Sequence, residues 1–122
     1  MAVLGRLHHV GIVTEDLDGS RDFYMSVLGL HEGPRNAFRN PGSWLYLGDT
    51  PIVHIITNVP RPSGPTGKFD HFCLAATGYD DWRARLTDKG VTFQTDGQPG
   101  GIRQLFFKDP NGVSIELNFS GV

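Results

Sequence analysis

Four residues have the types and the spacing to do chemistry together. His9 opens His-Val-Gly-Ile and His71 opens His-Phe-Cys-Leu, 62 residues apart. His54, in Ile-Val-His-Ile-Ile, and Glu116, in Ser-Ile-Glu-Leu-Asn, are separated by the same 62 residues. Three imidazoles and one carboxylate suit a borderline divalent ion such as Zn, Ni, Mn, Co or Fe(II), and ligand chemistry does not choose among them. Side chains alternate faces along a strand. His54 and Glu116 therefore face with Ile52, Ile56, Ser114 and Asn118, away from Val53, Ile55, Ile115, Leu117 and Phe119. By the same parity His9 faces with Gly11, and His71 with Cys73 and Ala75. A carboxylate between Ile115 and Leu117 is costly in an apolar strand unless it is partnered. A pseudo-twofold between the two halves would bring all four residues onto one axis. His8 and His31 read as ordinary solvated histidines, and Cys73 as an inert thiol.

The equal offsets imply an internal repeat of about 60 residues. Each module reads as strand, helix and three strands. In the first, a strand over 7–13 precedes a helix whose start Asp16 or Asp18 can cap. Phe23 with Val27 and Tyr24 with Leu28 form its apolar face, and Gly29 supplies the stop. Strands are expected over 34–39, 43–48 and 52–57. In the second, a strand over 69–75 leads to a helical stripe of Tyr79, Trp82 and Leu86 ending at Gly90. Strands over 91–96, 103–108 and 113–119 follow. The two helix stops are one residue out of step, which places a one-residue deletion in the second helix region. Asn58–Lys68, with three Pro and two Gly, reads as a linker. The domain expectation is thus a single domain over 1–122, with modules at about 5–57 and 69–120.

Composition narrows the function classes. The chain has 122 residues, a formal net charge of −2 and 39% hydrophobic residues, which fits one packed domain and no basic nucleic-acid surface. A single cysteine excludes an intramolecular disulfide framework and a cysteine-based zinc module. No stretch approaches the roughly 20 apolar residues of a bilayer span, and Met1–Arg6 lacks a signal-peptide core. A cytoplasmic location, with no nucleic-acid or membrane partner, is expected.

Leu7-His8-His9-Val10-Gly11-Ile12, Phe23-Tyr24 followed by Leu28-Gly29-Leu30, and Asp109-Pro110-Asn111-Gly112 leading to Ile115-Glu116-Leu117 together resemble the vicinal oxygen chelate superfamily. That group includes glyoxalases, extradiol dioxygenases, methylmalonyl-CoA epimerases, fosfomycin-resistance enzymes and bleomycin-binding proteins. The resemblance implies an α+β fold in which two paired βαβββ modules form a cupped mixed sheet around a metal site. It places the ligand positions on His9, His71 and Glu116, and a fourth on His54. At that fourth position glyoxalase-like members more often carry Glu and epimerase-like members Gln, so His54 is either a fourth ligand or a general base beside a three-ligand ion. The resemblance also implies a homodimer, with each site built within one chain or across two.

A divalent ion with two open positions polarises a carbonyl and stabilises an enediolate. The expected function is a lyase or isomerase of the glyoxalase kind acting on a small molecule with vicinal oxygens, with Glu116 or His54 as the base. Alternatives are an Fe(II) extradiol-type dioxygenase, a fosfomycin-type thiol transferase and a bleomycin-type drug-binding protein. Parity puts Trp44, Tyr46, Gln104 and Phe106 on the pocket side, where Asn118 can hydrogen-bond a ligand or substrate. Leu45, Leu47, Leu105 and Phe107 are left for the core, while Arg35, Arg39, Arg103 and Lys108 stand near strand ends as candidate anion contacts.

Overall fold

A computed structural model describes residues 1–3, 6–35, 41–57, 71–97, 101 and 103–119. The chain divides into two compact units, Met1–Arg61 and Pro62–Val122. The expected linker over 58–68 lies outside the described residues, as does Arg39.

The first unit runs β1 (Val10–Val13), α1 (Leu17–Ser26), β2 (His31–Gly33), β3 (Gly42–Leu47) and β4 (Thr50–Ile56). Its sheet has the order β1-β4-β3-β2, with β1 parallel to β4 and the other pairs antiparallel. The second unit runs β5 (His71–Ala75), α2 (Tyr79–Asp88), β6 (Phe93–Gly97), β7 (Arg103–Lys108) and β8 (Ser114–Phe119). Its order is β5-β8-β7-β6, again parallel only between its first and last strands. This is an α+β architecture of two four-stranded mixed sheets, each with one helix.

The repeat holds at the level of register. Gly11 pairs with His54 as Cys73 pairs with Glu116, and Trp44 lies opposite His54 as Phe106 lies opposite Glu116. One face of each sheet forms a core: Leu45, Val53 and Ile55 in the first unit and Leu105, Ile115, Leu117 and Phe119 in the second are all but inaccessible. Each such side chain contributes roughly 1.5–3 kcal/mol through burial. Helix α1 packs on β2, β3 and β4 and buries Tyr24. In the second unit α2 buries Leu86, and the Tyr79 ring meets Phe119 edge-on.

The helices differ at their ends. The Asp16 carboxylate accepts from the Gly19 amide at 2.9 Å and caps α1, whereas α2 starts at Gly78 with no side-chain cap. Both helices are ten residues long and keep the 62-residue offset, so the one-residue deletion falls in the turn after the helix and not within it. After α1 the Leu30 amide donates to the Tyr24 carbonyl, six residues back. After α2 the Val91 amide donates to Leu86, five back, and Gly90 to Thr87. Gly29 (φ 77°) and Gly90 (φ 71°) take the left-handed conformation these turns require.

Two further expectations are corrected. The strand after α1 lies at His31–Gly33, ahead of the expected 34–39, because pairing with β3 begins directly after the helix cap; Pro34, which brings no N–H, and Arg35 are not strand. Residues 36–40 lie outside the described region. Leu47 is 58% exposed and not part of the core. The β3–β4 register shifts between Leu45 and Tyr46, skipping Ile52, and the two-residue turn at Gly48-Asp49 leaves Leu47 on the rim.

If Asp16 caps α1 as the geometry shows, Asp16→Ala should cost about 1 kcal/mol of stability, seen as a lower urea midpoint at unchanged slope.

Candidate functional site

In the first unit, β1 and β4 bring His9 and His54 together. Their rings stack with centroids 3.9 Å apart and planes within 7°. Trp44, opposite His54 on β3, covers the other face at 4.1 Å and 13°. The result is a three-ring stack with His54 in the middle. His54 Nε2 lies 3.0 Å from the Pro51 carbonyl oxygen. A carbonyl only accepts, so Nε2 carries the hydrogen and Nδ1 keeps the lone pair. Burial, then the neighbouring His9, hold the His54 pKa below 6.5; the Pro51 bond opposes this, while His8 and Arg35 add to it. The imidazole is therefore neutral at pH 7. His8 and His9 share a hydrogen bond between their Nδ1 atoms at 2.9 Å.

In the second unit, β5 and β8 bring His71 and Glu116 together. His71 Nε2 donates to Glu116 Oε1 at 3.1 Å. The other carboxylate oxygen, Oε2, accepts from Gln104 Nε2 at 3.2 Å and from Asn118 Nδ2 at 3.5 Å. Glu116 is only 7% exposed, and these donors offset the cost of burying its charge. Phe106 presents its ring edge-on to His71 at 6.4 Å. Cys73 is exposed beside this carboxylate; desolvation, then a hydrogen bond to Glu116 and that group's charge, push its thiol up to about 11.

Each unit thus assembles two of the four sequence-derived candidates. Among the described residues, no three His, Cys, Asp or Glu side chains form a group able to hold a metal ion. The donor chemistry fits a divalent cation: imidazole and carboxylate are ordinary ligands of such ions, and the buried Glu116 carboxylate is oriented by amides through one oxygen only. Of the expected pocket residues, Trp44, Phe106, Gln104 and Asn118 touch the candidates. Tyr46 does not join Trp44; its ring stacks on His31 and its hydroxyl donates to the Pro34 carbonyl at 2.5 Å. Arg103 stacks on Tyr79, on the helix side of β7, which removes it from the Glu116 face. Sequence reading missed the Pro51 carbonyl, a backbone group with no residue signature. Arg35, expected near a strand end as an anion contact, has its guanidinium in the space beside Gly42, where a Cβ would come within 2.9 Å of Nη2.

Residues 6–117 match the Glyoxalase/Bleomycin resistance protein/Dioxygenase superfamily. The chain belongs to this superfamily. It is 28% identical over 123 residues to Glyoxylase I 4 of Arabidopsis thaliana, covering 93% of this chain and 70% of that protein. It is 28% identical over 120 residues to the glutathione transferase FosA of Serratia marcescens, covering 95% and 82%. Among solved structures, a glyoxalase family protein from Bacillus anthracis superposes with a TM-score of 0.79 at 20% identity, covering 98% of each chain. Members of the superfamily commonly use a divalent metal and bind small molecules. No helix among the described residues is long and apolar enough to cross a membrane.

The raised Cys73 pKa has a measurable sign. Alkylation proceeds through the thiolate, so in chelator-treated protein Cys73 should react with iodoacetamide roughly 100-fold more slowly at pH 8 than an unperturbed cysteine, and accelerate as pH rises toward 11. A rate equal to that of a free cysteine peptide contradicts the arrangement.

Proposed function

We propose that the two residue pairs act on one divalent ion, with His9, His71 and Glu116 as ligands and His54 as the neighbouring proton acceptor, in a lyase or isomerase of the glyoxalase kind. The observation that carries the division of roles is the stack of His9 on His54. An imidazole offers its lone pair in the ring plane. Two rings within 7° of parallel hold their lone pairs in separate, nearly parallel planes that do not meet at a single ion, which favours one ligand and one base over two ligands.

The chain's own groups divide the work. His54, neutral and with Nε2 tied to Pro51, presents Nδ1 as the atom that takes a proton from carbon. Trp44 and His9 hold its ring plane. Glu116 is fixed by side-chain amides and serves better as an anchored ligand than as a mobile base. The hydrogen that His71 shares with Glu116 occupies the place a cation would take, and metal binding would release it. When bound, a divalent ion polarises a carbonyl next to the labile C–H and stabilises the charge that develops on two vicinal oxygens. The similarity to Glyoxylase I 4 supports this reaction class. We also propose a homodimer, with sites formed within one chain or between partners.

The test is to load the purified protein separately with Ni, Zn, Mn, Co and Fe(II), then assay isomerisation of a thiol–dicarbonyl adduct to the α-hydroxythioester. Turnover with at least one metal is expected. His54→Ala should keep the metal content and lose roughly 100- to 10,000-fold in kcat. His71→Ala should lose metal. Absence of turnover with every metal removes the assignment, and loss of metal in His54→Ala makes that residue a ligand. Mixed dimers of His9→Ala with Glu116→Ala subunits should recover activity only where sites form across chains.

A further inference from the structure

His54 and Glu116 occupy equivalent positions of the two modules, yet they are held by opposite kinds of partner. Gln104 and Asn118 are a directly opposed cross-strand pair on β7 and β8, and both donate to Glu116 Oε2. The equivalent cross-strand pair in the first module is Gly42 opposite Ile56, which carries no side-chain donor. There the candidate is an imidazole whose N–H needs an acceptor, and the Pro51 carbonyl supplies it. Each module thus carries an orienting group matched to the hydrogen-bonding character of its own functional side chain: donors for the carboxylate, an acceptor for the ring nitrogen.

We infer that Gln104 and Asn118 are positioning residues of the metal centre, which by donating to Oε2 fix the carboxylate plane of Glu116 and leave Oε1 as its ligand atom. The inference rests on the metal reading proposed above, and it places these two amides behind the ligand and not against the substrate. A carboxylate held through one oxygen presents the other at a defined angle, and outer-shell partners of this kind tune metal affinity. Amides that merely satisfied a buried charge would affect folding stability and leave the metal's coordination untouched.

The two roles separate in a Co(II) titration by calorimetry, with the visible spectrum recorded at saturation, on the full chain and its variants. Gln104→Met and Asn118→Leu, which remove the donors at similar volume, should each weaken Co(II) binding roughly 10- to 100-fold and move the ligand-field bands. Thermal unfolding by circular dichroism confirms that each variant is folded, and Gln104→Ala replaces the Met variant should that one not fold. Parent-like affinity and spectrum in the donor-deleting variants overturn the inference while leaving the metal reading intact. A parent protein that takes up no Co(II) overturns the metal reading and this inference with it.

Discussion

The parallel pairing of the first and last strands of each module is the constraint on which the site depends. Parallel neighbours cannot be joined by a tight turn, so each module must send its chain through a helix and two further strands before the last strand returns beside the first. That return sets Gly11 against His54 and Cys73 against Glu116, with His9 and His71 two residues upstream on the same faces. The apolar core enforces the register. Slipping β4 or β8 by one residue would expose Val53 and Ile55, or Ile115 and Leu117, all now essentially inaccessible, and would turn His54 or Glu116 into the helix side. Hydrophobic burial therefore aligns the polar residues, although none of them contributes to the core.

Within that shared frame the modules have diverged where change costs least. The one-residue difference sits in the turn after the helix, where a left-handed glycine and one altered hydrogen bond absorb it. The strand that follows carries the shift forward: Glu32 pairs with Leu45 and Phe93 with Phe107, so β6 runs 61 residues after β2 while β7 stays 62 after β3. The hairpins differ as well. The first module turns in two residues and bulges at Leu45/Tyr46. The second uses Asp109, whose carboxylate accepts from the Asn111 and Val113 amides at 2.8 Å each, to close a longer loop without a bulge.

Most of the fold was legible because its signals are periodic. The helices showed their apolar faces and glycine stops, and the closing strands their alternation. The strand β2 was not, because His-Glu-Gly carries no apolar pattern and owes its conformation to pairing with β3. Leu47 misled for a related reason: parity holds only while the register does, and a bulge is not written in residue types. At the site, equal spacing singled out His9, His54, His71 and Glu116, which the structure brings together as two pairs. What orients them was hidden, since the Pro51 carbonyl is backbone and the amides of Gln104 and Asn118 look alike whether they face a substrate or a neighbouring carboxylate.

A superfamily that spans glyoxalases, drug-binding proteins and dioxygenases shows that this scaffold does not by itself choose a reaction. The backbone fixes where four side chains begin, and the choice falls to the atoms that decide which lone pairs remain available. Here an acceptor behind His54 leaves a neutral nitrogen able to take a proton, while donors behind Glu116 leave one oxygen directed and the other occupied. Replacing the imidazole by a carboxylate at the first position would set a negative group three residues from a carbonyl oxygen that has no hydrogen to share, with Gly42 and Ile56 offering no amide in compensation. The two positions are equivalent in backbone and not interchangeable in chemistry. That asymmetry gives one half a neutral nitrogen able to accept a proton and the other an anchored carboxylate.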